Sequence, residues 1–175
     1  MKRYSGSKAD DPKPIGGGAY NKDNCGGEIC NFKKGPGRRY FGFVRPSGRR
    51  YRLNLKRIDP VSNSDSLPDV LVVFVARIPR LGGQRVVGWY RNAIVTESPK
   101  RSPLFDRARK RRIDYFATVR VQDGRLLPLD SRTWSVPNGP DGMGQANVCY
   151  MYDADGTSKK LTWARRIVRL IDNYE

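Results

Sequence analysis

Gly88-Trp89-Tyr90-Arg91-Asn92-Ala93 sets two large rings beside a glycine and an amide two residues past the tyrosine. Aromatic faces stack on nucleobases for about 1–3 kcal/mol per base. A carboxamide offers both a donor and an acceptor to a base edge. Trp134 is a third ring candidate for such a pocket, and Asn31, Glu28 and Asn147 are further polar ones. The ordinary use of those three polar residues is to cap loops. Neighbours on a strand point to opposite faces, so Trp89 and Tyr90 share a pocket only if Gly88 is bulged. Otherwise one ring belongs to the core, and Asn92 shares the face of Tyr90.

Basic residues fall in two runs with phosphate-binding character. Arg49, Arg50, Arg52, Lys56 and Arg57 make the first; Lys100, Arg101, Arg107, Arg109, Lys110, Arg111 and Arg112 make the second. Across the 175 residues, 34 Lys and Arg outnumber 17 Asp and Glu, for a net charge of +17 and a pI near 10.2. That excess exceeds what solubility requires and points to a polyanionic partner, nucleic acid first and DNA before RNA. A merely solvated basic surface is the competing explanation.

Other chemistries are removed by what is missing. The chain has no histidine, which excludes His-metal nucleases, Ser-His-Asp triads and His-ligated zinc together. Cys25, Cys30 and Cys149 form no Cys-x-x-Cys pair, so neither a disulfide framework nor a thiolate metal site is expected, and a reducing, cytoplasmic setting is. Pro68-Asp69 imitates the start of a metal-dependent nuclease motif, but no acid-x-lysine follows on a strand, and Asp106 and Asp114 lie among arginines. The expectation is a non-catalytic protein without cofactor or metal; a small nuclease is the enzymatic alternative. The polar amino-terminal stretch is no secretory signal, and no run reaches the ~20 apolar residues that span a bilayer.

These residues need elements to position them. Residues 1–14 read as a flexible arm and 15–175 as one domain, opening with a Gly- and Asn-rich loop to Phe32. Strands are expected at Tyr40–Pro46, at Tyr51–Ile58 by alternation, at Val70–Ala76 buried on both faces, and at Arg85–Val95. The last two form the core hairpin, with Gly88 marking a bulge or a close backbone approach. The run 98–112 reads as a basic loop or short helix limited by Pro99 and Pro103, and Tyr115–Val121 as a strand ending in an Asp123-Gly124 hairpin turn. Residues 131–147 read as loop and 148–152 as a short extended piece. Leu161, Ala164, Ile167, Val168 and Ile171 repeat at helical spacing, giving an amphipathic helix over 158–173 capped by Asp155, Thr157 or Ser158. The fold class is α+β, a small mixed β-barrel with a carboxy-terminal helix.

Arg39-Tyr40-Phe41-Gly42-Phe43-Val44-Arg45-Pro46 nearly matches the RNA-binding strand of the RRM, but Tyr40 takes the place of its glycine and Pro46 of its last aromatic. No helix precedes it, so the match is accidental, and core filling is the expected use of Phe41 and Phe43.

The order from Tyr40 to about residue 130 instead resembles the PUA-like superfamily of small barrels, which includes the EVE, YTH and ASCH domains. In the EVE domains an apolar strand, a turn and a glycine-bearing strand precede a Pro-Leu segment, as Val70–Ala76, Gly88 and Leu127-Pro128-Leu129 do here. Asn24-Cys25-Gly26-Gly27-Glu28-Ile29-Cys30-Asn31-Phe32, Gly88-Trp89-Tyr90-Arg91-Asn92-Ala93 and Gly144-Gln145-Ala146-Asn147 further resemble the amino-terminal domain of HNH-type restriction proteins, with Gly27 where that pattern has histidine. The resemblance implies a reader of modified DNA that flips a base into an aromatic pocket, with a nuclease effector as partner in a restriction or defence system. Flipping costs a few kcal/mol that the pocket must return. A general RNA-binding or ribosome-associated protein is the alternative.

Overall fold

The computed structural model describes residues 4, 26–46, 51–77, 83–106, 111–139, 142–144 and 146–174, with Asp106 and Arg111 in backbone only. Apart from Tyr4, the expected arm lies outside the described residues. The strands are β1 (Arg39–Gly42), β2 (Ser66–Arg77), β3 (Gln84–Asp106), β4 (Arg111–Arg120), β5 (Gly124–Leu126) and β6 (Ser135–Val136). Among the described residues one α-helix, α1 (Thr162–Asp172), follows them. The sheet order is β1-β4-β3-β2, with β5 and β6 also paired to β3. Every pairing is antiparallel, so the sheet is not the mixed one expected; it curls into a half-barrel with the helix at its carboxy-terminal end.

β3 is the spine. Its 23 residues pair with β2 along one edge and with β6, β5 and β4 in turn along the other. The curl has a local cause in three register slips between β2 and β3. Between Leu67↔Val95 and Val70↔Ala93 the extra residue is on β2, where Asp69 has φ 55°; between Val70↔Ala93 and Val72↔Tyr90 it is on β3, where Asn92 has φ 51°. Between Phe74↔Gly88 and Val75↔Val86 β3 again carries the extra residue. Each such bulge bends the strand and increases its twist. Gly88 also marks a close approach, because a Cβ there would lie 2.4 Å from the Arg125 carbonyl oxygen and 2.6 Å from Cζ of Phe32.

The bulge at Val87 distributes β3 over two cores. Val87 and Tyr90 pack with Phe32, Tyr40 and Phe116 on one face; Val86 and Trp89 pack with Leu127, Val136 and the α1 residues Ile167 and Ile171 on the other. Each fully buried large apolar side chain contributes about 1.5–3 kcal/mol. The helix thus docks by its apolar stripe, as its periodicity implies, and leaves Arg165, Arg166 and Arg169 exposed.

Several expectations are corrected. Of the run 98–112, residues 107–110 lie outside the described residues and the rest is strand, not loop or helix: β3 continues to Asp106, and Pro99 and Pro103 sit within the two register breaks of the β3–β4 pairing, where no ladder N–H is needed. Val70–Ala76 is half-buried, because β2 is an edge strand. Tyr51–Ile58 buries Leu53 and Leu55 as alternation implies, but it joins no ladder and turns as a 3-10 segment over Leu55–Arg57. Asp123 ends a 3-10 turn, and β5 then pairs with β3 instead of folding back on β4. The helix begins at Thr162, since Ser158 is bridged to Tyr152 and Asp155 accepts from the Thr157 N–H in that turn.

Candidate nucleic-acid interface

Of the proposed pocket residues, Trp89 and Tyr90 are both sealed, at 0% exposure. They fall on opposite faces of β3, as strand geometry dictates, and both faces are covered. The Tyr90 phenol donates to the Asn31 carbonyl, and its ring packs edge-on against Phe32 and Phe74. Burial, reinforced by Tyr40, holds its pKa well above 10.0. Trp134, half-buried on the loop before β6, stacks on Trp89 at 5.7 Å with the planes 16° apart, and Tyr174 meets both rings edge-on. The rings therefore stack on one another, and neither Trp89 nor Tyr90 offers a face to a base.

The polar candidates are dispersed as well. Buried Asn31 spends its carboxamide on Phe43, accepting from its N–H at 2.8 Å and donating to its carbonyl at 3.1 Å. It acts as a one-residue strand partner, and the amide is closed to a ligand. Asn147 is exposed and donates to the Arg45 carbonyl at 2.9 Å. Asn92 is exposed on its bulge, where a left-handed φ suits asparagine. Glu28 is half-buried in the 3-10 turn Gly27–Cys30. Among the described residues these polar side chains are not gathered around Trp89 and Tyr90, whose rings are sealed.

The basic residues separate by partner. Arg52 lies 3.9 Å from Glu97. Arg57 is built into the structure, donating to the Tyr152 carbonyl at 3.0 Å, lying 3.8 Å from Asp153 and covering the Tyr150 ring. Lys56 is exposed. Arg49, Arg50, Arg107, Arg109 and Lys110 lie outside the described residues, and Arg111 is described in backbone only.

Arg101 and Arg112 come together on a feature the sequence hid, whereas Lys100, opposite Tyr115, falls on its other side. β2 pairs with β3 no further than Thr96, and β1 pairs with β4 no nearer its start than Ala117. Residues 100–106 of β3 and 111–115 of β4 therefore form a two-stranded ribbon. One side of it is anchored, with Ser102, Leu104 and Ile113 buried and Ile113 clustered with Ile29 and Cys30. The other side presents Phe105, 49% exposed, directly opposite exposed Arg112, with Arg101 opposite Asp114 at 3.5 Å. Residues directly opposite on paired strands share a face. Phe105 was not singled out by the sequence, because a lone ring in a basic run has no period; its separation from Leu104, turned inward next to it, was the available signal.

Among the described residues no cluster of His, Cys, Asp and Glu suits a metal ion, and no helix is long and apolar enough to cross a membrane. Asp69 stands exposed on its bulge, and Cys149 is half-buried, its thiol pushed up by burial against the opposing pull of Lys159 and Arg57. Compared with protein-family models, curated proteins and solved structures, the chain matches none.

Proposed function

We propose that this chain is a non-catalytic DNA-binding protein that lays its β3–β4 ribbon against a duplex. Arg101 and Arg112 neutralise phosphates while the Phe105 ring makes apolar contact with sugars or base edges. The observation that carries this reading is the ribbon itself: two antiparallel strands clear of β2, with an exposed ring and an exposed guanidinium opposite each other. The major groove of B-DNA, about 12 Å wide, admits a two-stranded ribbon, whereas that of A-form RNA is deep and narrow. That fit favours DNA over RNA; the general RNA-binding alternative shares only the charge.

A PUA-like kinship, modified-base reading, a nuclease effector and a place in restriction or defence draw their support from the sequence resemblance, and the glycine-marked β2–β3 hairpin agrees with the first. The aromatic pocket built on Trp89 and Tyr90 is withdrawn, because both rings are covered. A cytoplasmic setting rests on the cysteine usage.

The test is fluorescence anisotropy with a DNA duplex, the same duplex carrying a modified base, and an RNA duplex of matched sequence. DNA is expected to bind more tightly than RNA, losing ~10³-fold or more in affinity between about 50 and 200 mM salt if six or more phosphates are neutralised. Phe105→Ala and Arg112→Ala are expected to weaken it, the latter lowering the salt slope by about one. A shallow slope would overturn nucleic-acid binding. Equal affinity for all three probes, unchanged by Phe105→Ala, would overturn the ribbon and favour general RNA binding.

A further inference from the structure

At the far end of β4 from the ribbon, Arg39 of β1 lies directly opposite Arg120. Like charges placed this way on paired strands repel and destabilise the pairing. Two arginines of the sheet, Arg91 and Arg101, face carboxylates, Asp172 and Asp114. Among the described residues Arg38, Arg39 and Arg120 have no carboxylate partner. Together with Gly37, Val121 and Gln122 they line a hollow of about 200 Å³.

The backbone there is also unusual. Gly37 and Arg38 are successive left-handed residues, with φ 64° and 53°. That conformation disfavours a side chain with a Cβ, and such strain gathers at binding sites. Arg39 is aimed as well. Its Nε donates to the Thr118 hydroxyl at 3.1 Å, and that hydroxyl in turn donates to the Tyr40 carbonyl at 3.0 Å. The bond fixes the guanidinium plane and leaves its terminal nitrogens uncommitted.

We propose that Arg38, Arg39 and Arg120 form a phosphate-binding site at the β1–β4 edge. Guanidinium forks match tetrahedral phosphate oxygens in two-pronged fashion. A bound phosphate turns the Arg39–Arg120 repulsion into shared attraction. This inference is independent of the ribbon, because it requires only a phosphate group, whether on a nucleic-acid strand or free in solution. The ribbon's Arg112 lies eight residues away along β4, roughly 27 Å, so the two features are separate.

Thermal unfolding of the full chain in inorganic phosphate and in chloride at matched ionic strength tests it. A phosphate-specific rise in Tm of roughly 3–6 °C at ten times the dissociation constant is expected. Arg120→Gln should raise Tm in phosphate-free, low-salt buffer by relieving the repulsion, and abolish the phosphate-specific rise. Arg38→Gln, at an exposed position, should abolish the rise with little effect on basal Tm. Chloride equalling phosphate, or a full rise persisting in both variants, overturns the site. Displacement of a bound oligonucleotide by phosphate, lost in Arg120→Gln, assigns the site to a strand; a rise without displacement assigns it to free phosphate.

Discussion

Tyr90, at the centre of β3, donates its phenolic hydrogen to the backbone carbonyl of Asn31, 59 residues earlier in the chain. That bond ties the loop after the 3-10 turn Gly27–Cys30 to the middle of the sheet, while the Asn31 side chain carries the tie on to Phe43. Tyr90→Phe keeps the ring and orphans a buried carbonyl, at a cost of about 1–3 kcal/mol. Urea denaturation should show the loss as a lower midpoint with unchanged slope. An unchanged midpoint would mean that the bond contributes nothing.

The same phenol sets an alkaline limit. Burial holds the Tyr90 pKa well above 10.0, and burial raises Tyr40 as well. Above about pH 10 the unfolded chain releases these protons while the folded chain keeps them, so stability falls as pH rises and is flat below. Tyr90→Phe should show a shallower fall above pH 10 than the unmodified chain. Parallel profiles of stability against pH would place the alkaline loss elsewhere.

Gly88→Ala should be among the most damaging small substitutions in the sheet. The added carbon would lie 2.4 Å from the Arg125 carbonyl oxygen and 3.1 Å from the Leu126 Cα, and backbone atoms cannot swing away as a side chain can. Overpacking of this kind costs about 1–3 kcal/mol, taken here from the β3–β5 pairing. Hydrogen exchange should quicken at Leu127, whose N–H donates to the Val87 carbonyl, before it does on β2.

What the sequence made legible was local. The α1 stripe of Ala164, Ile167 and Ile171 and the β2–β3 hairpin, in which Val73 lies opposite Trp89, follow from periodicity, and Gly88 announced its own crowding. The ribbon was hidden because Pro99 and Pro103 read as strand breakers, and only pairing with β4 shows that both fall in register breaks. Trp89 and Tyr90 read as candidate binders because a ring's chemistry is the same inside and outside. The burial of Trp89 is decided by Leu127, Val136 and α1, and that of Tyr90 by Phe32, Tyr40 and Phe116, all of which arrive from distant sequence. The Arg39–Arg120 opposition is likewise a matter of register between strands about 80 residues apart, which no motif spells.

Because Trp134 lies half-buried against Trp89, the sealed-ring arrangement separates stability from binding. Trp134→Ala removes one stacked partner, uncovers Trp89 and weakens the contact with Tyr174. The expected result is a lower Tm with DNA affinity unchanged under conditions where the variant is folded. Intrinsic fluorescence should shift to the red as Trp89 meets water. A variant with wild-type Tm and specifically weakened DNA binding would instead restore a base-stacking role for these rings.

Asp114 gives the sharpest test of the ribbon, because its loss should strengthen binding. Its carboxylate lies 3.5 Å from Arg101 Nε, with both side chains substantially exposed, so the pair adds little to stability. On a strand meant to face phosphates it cancels one cation and repels the ligand. Asp114→Asn preserves the shape, frees Arg101 and adds one positive charge to the ribbon. DNA affinity at low salt should rise several-fold, and the dependence of log affinity on log salt should steepen by about one phosphate contact. The gain should vanish in the Asp114→Asn, Arg101→Ala double variant, since it acts through that guanidinium. Unchanged affinity in Asp114→Asn would mean that DNA does not approach this face.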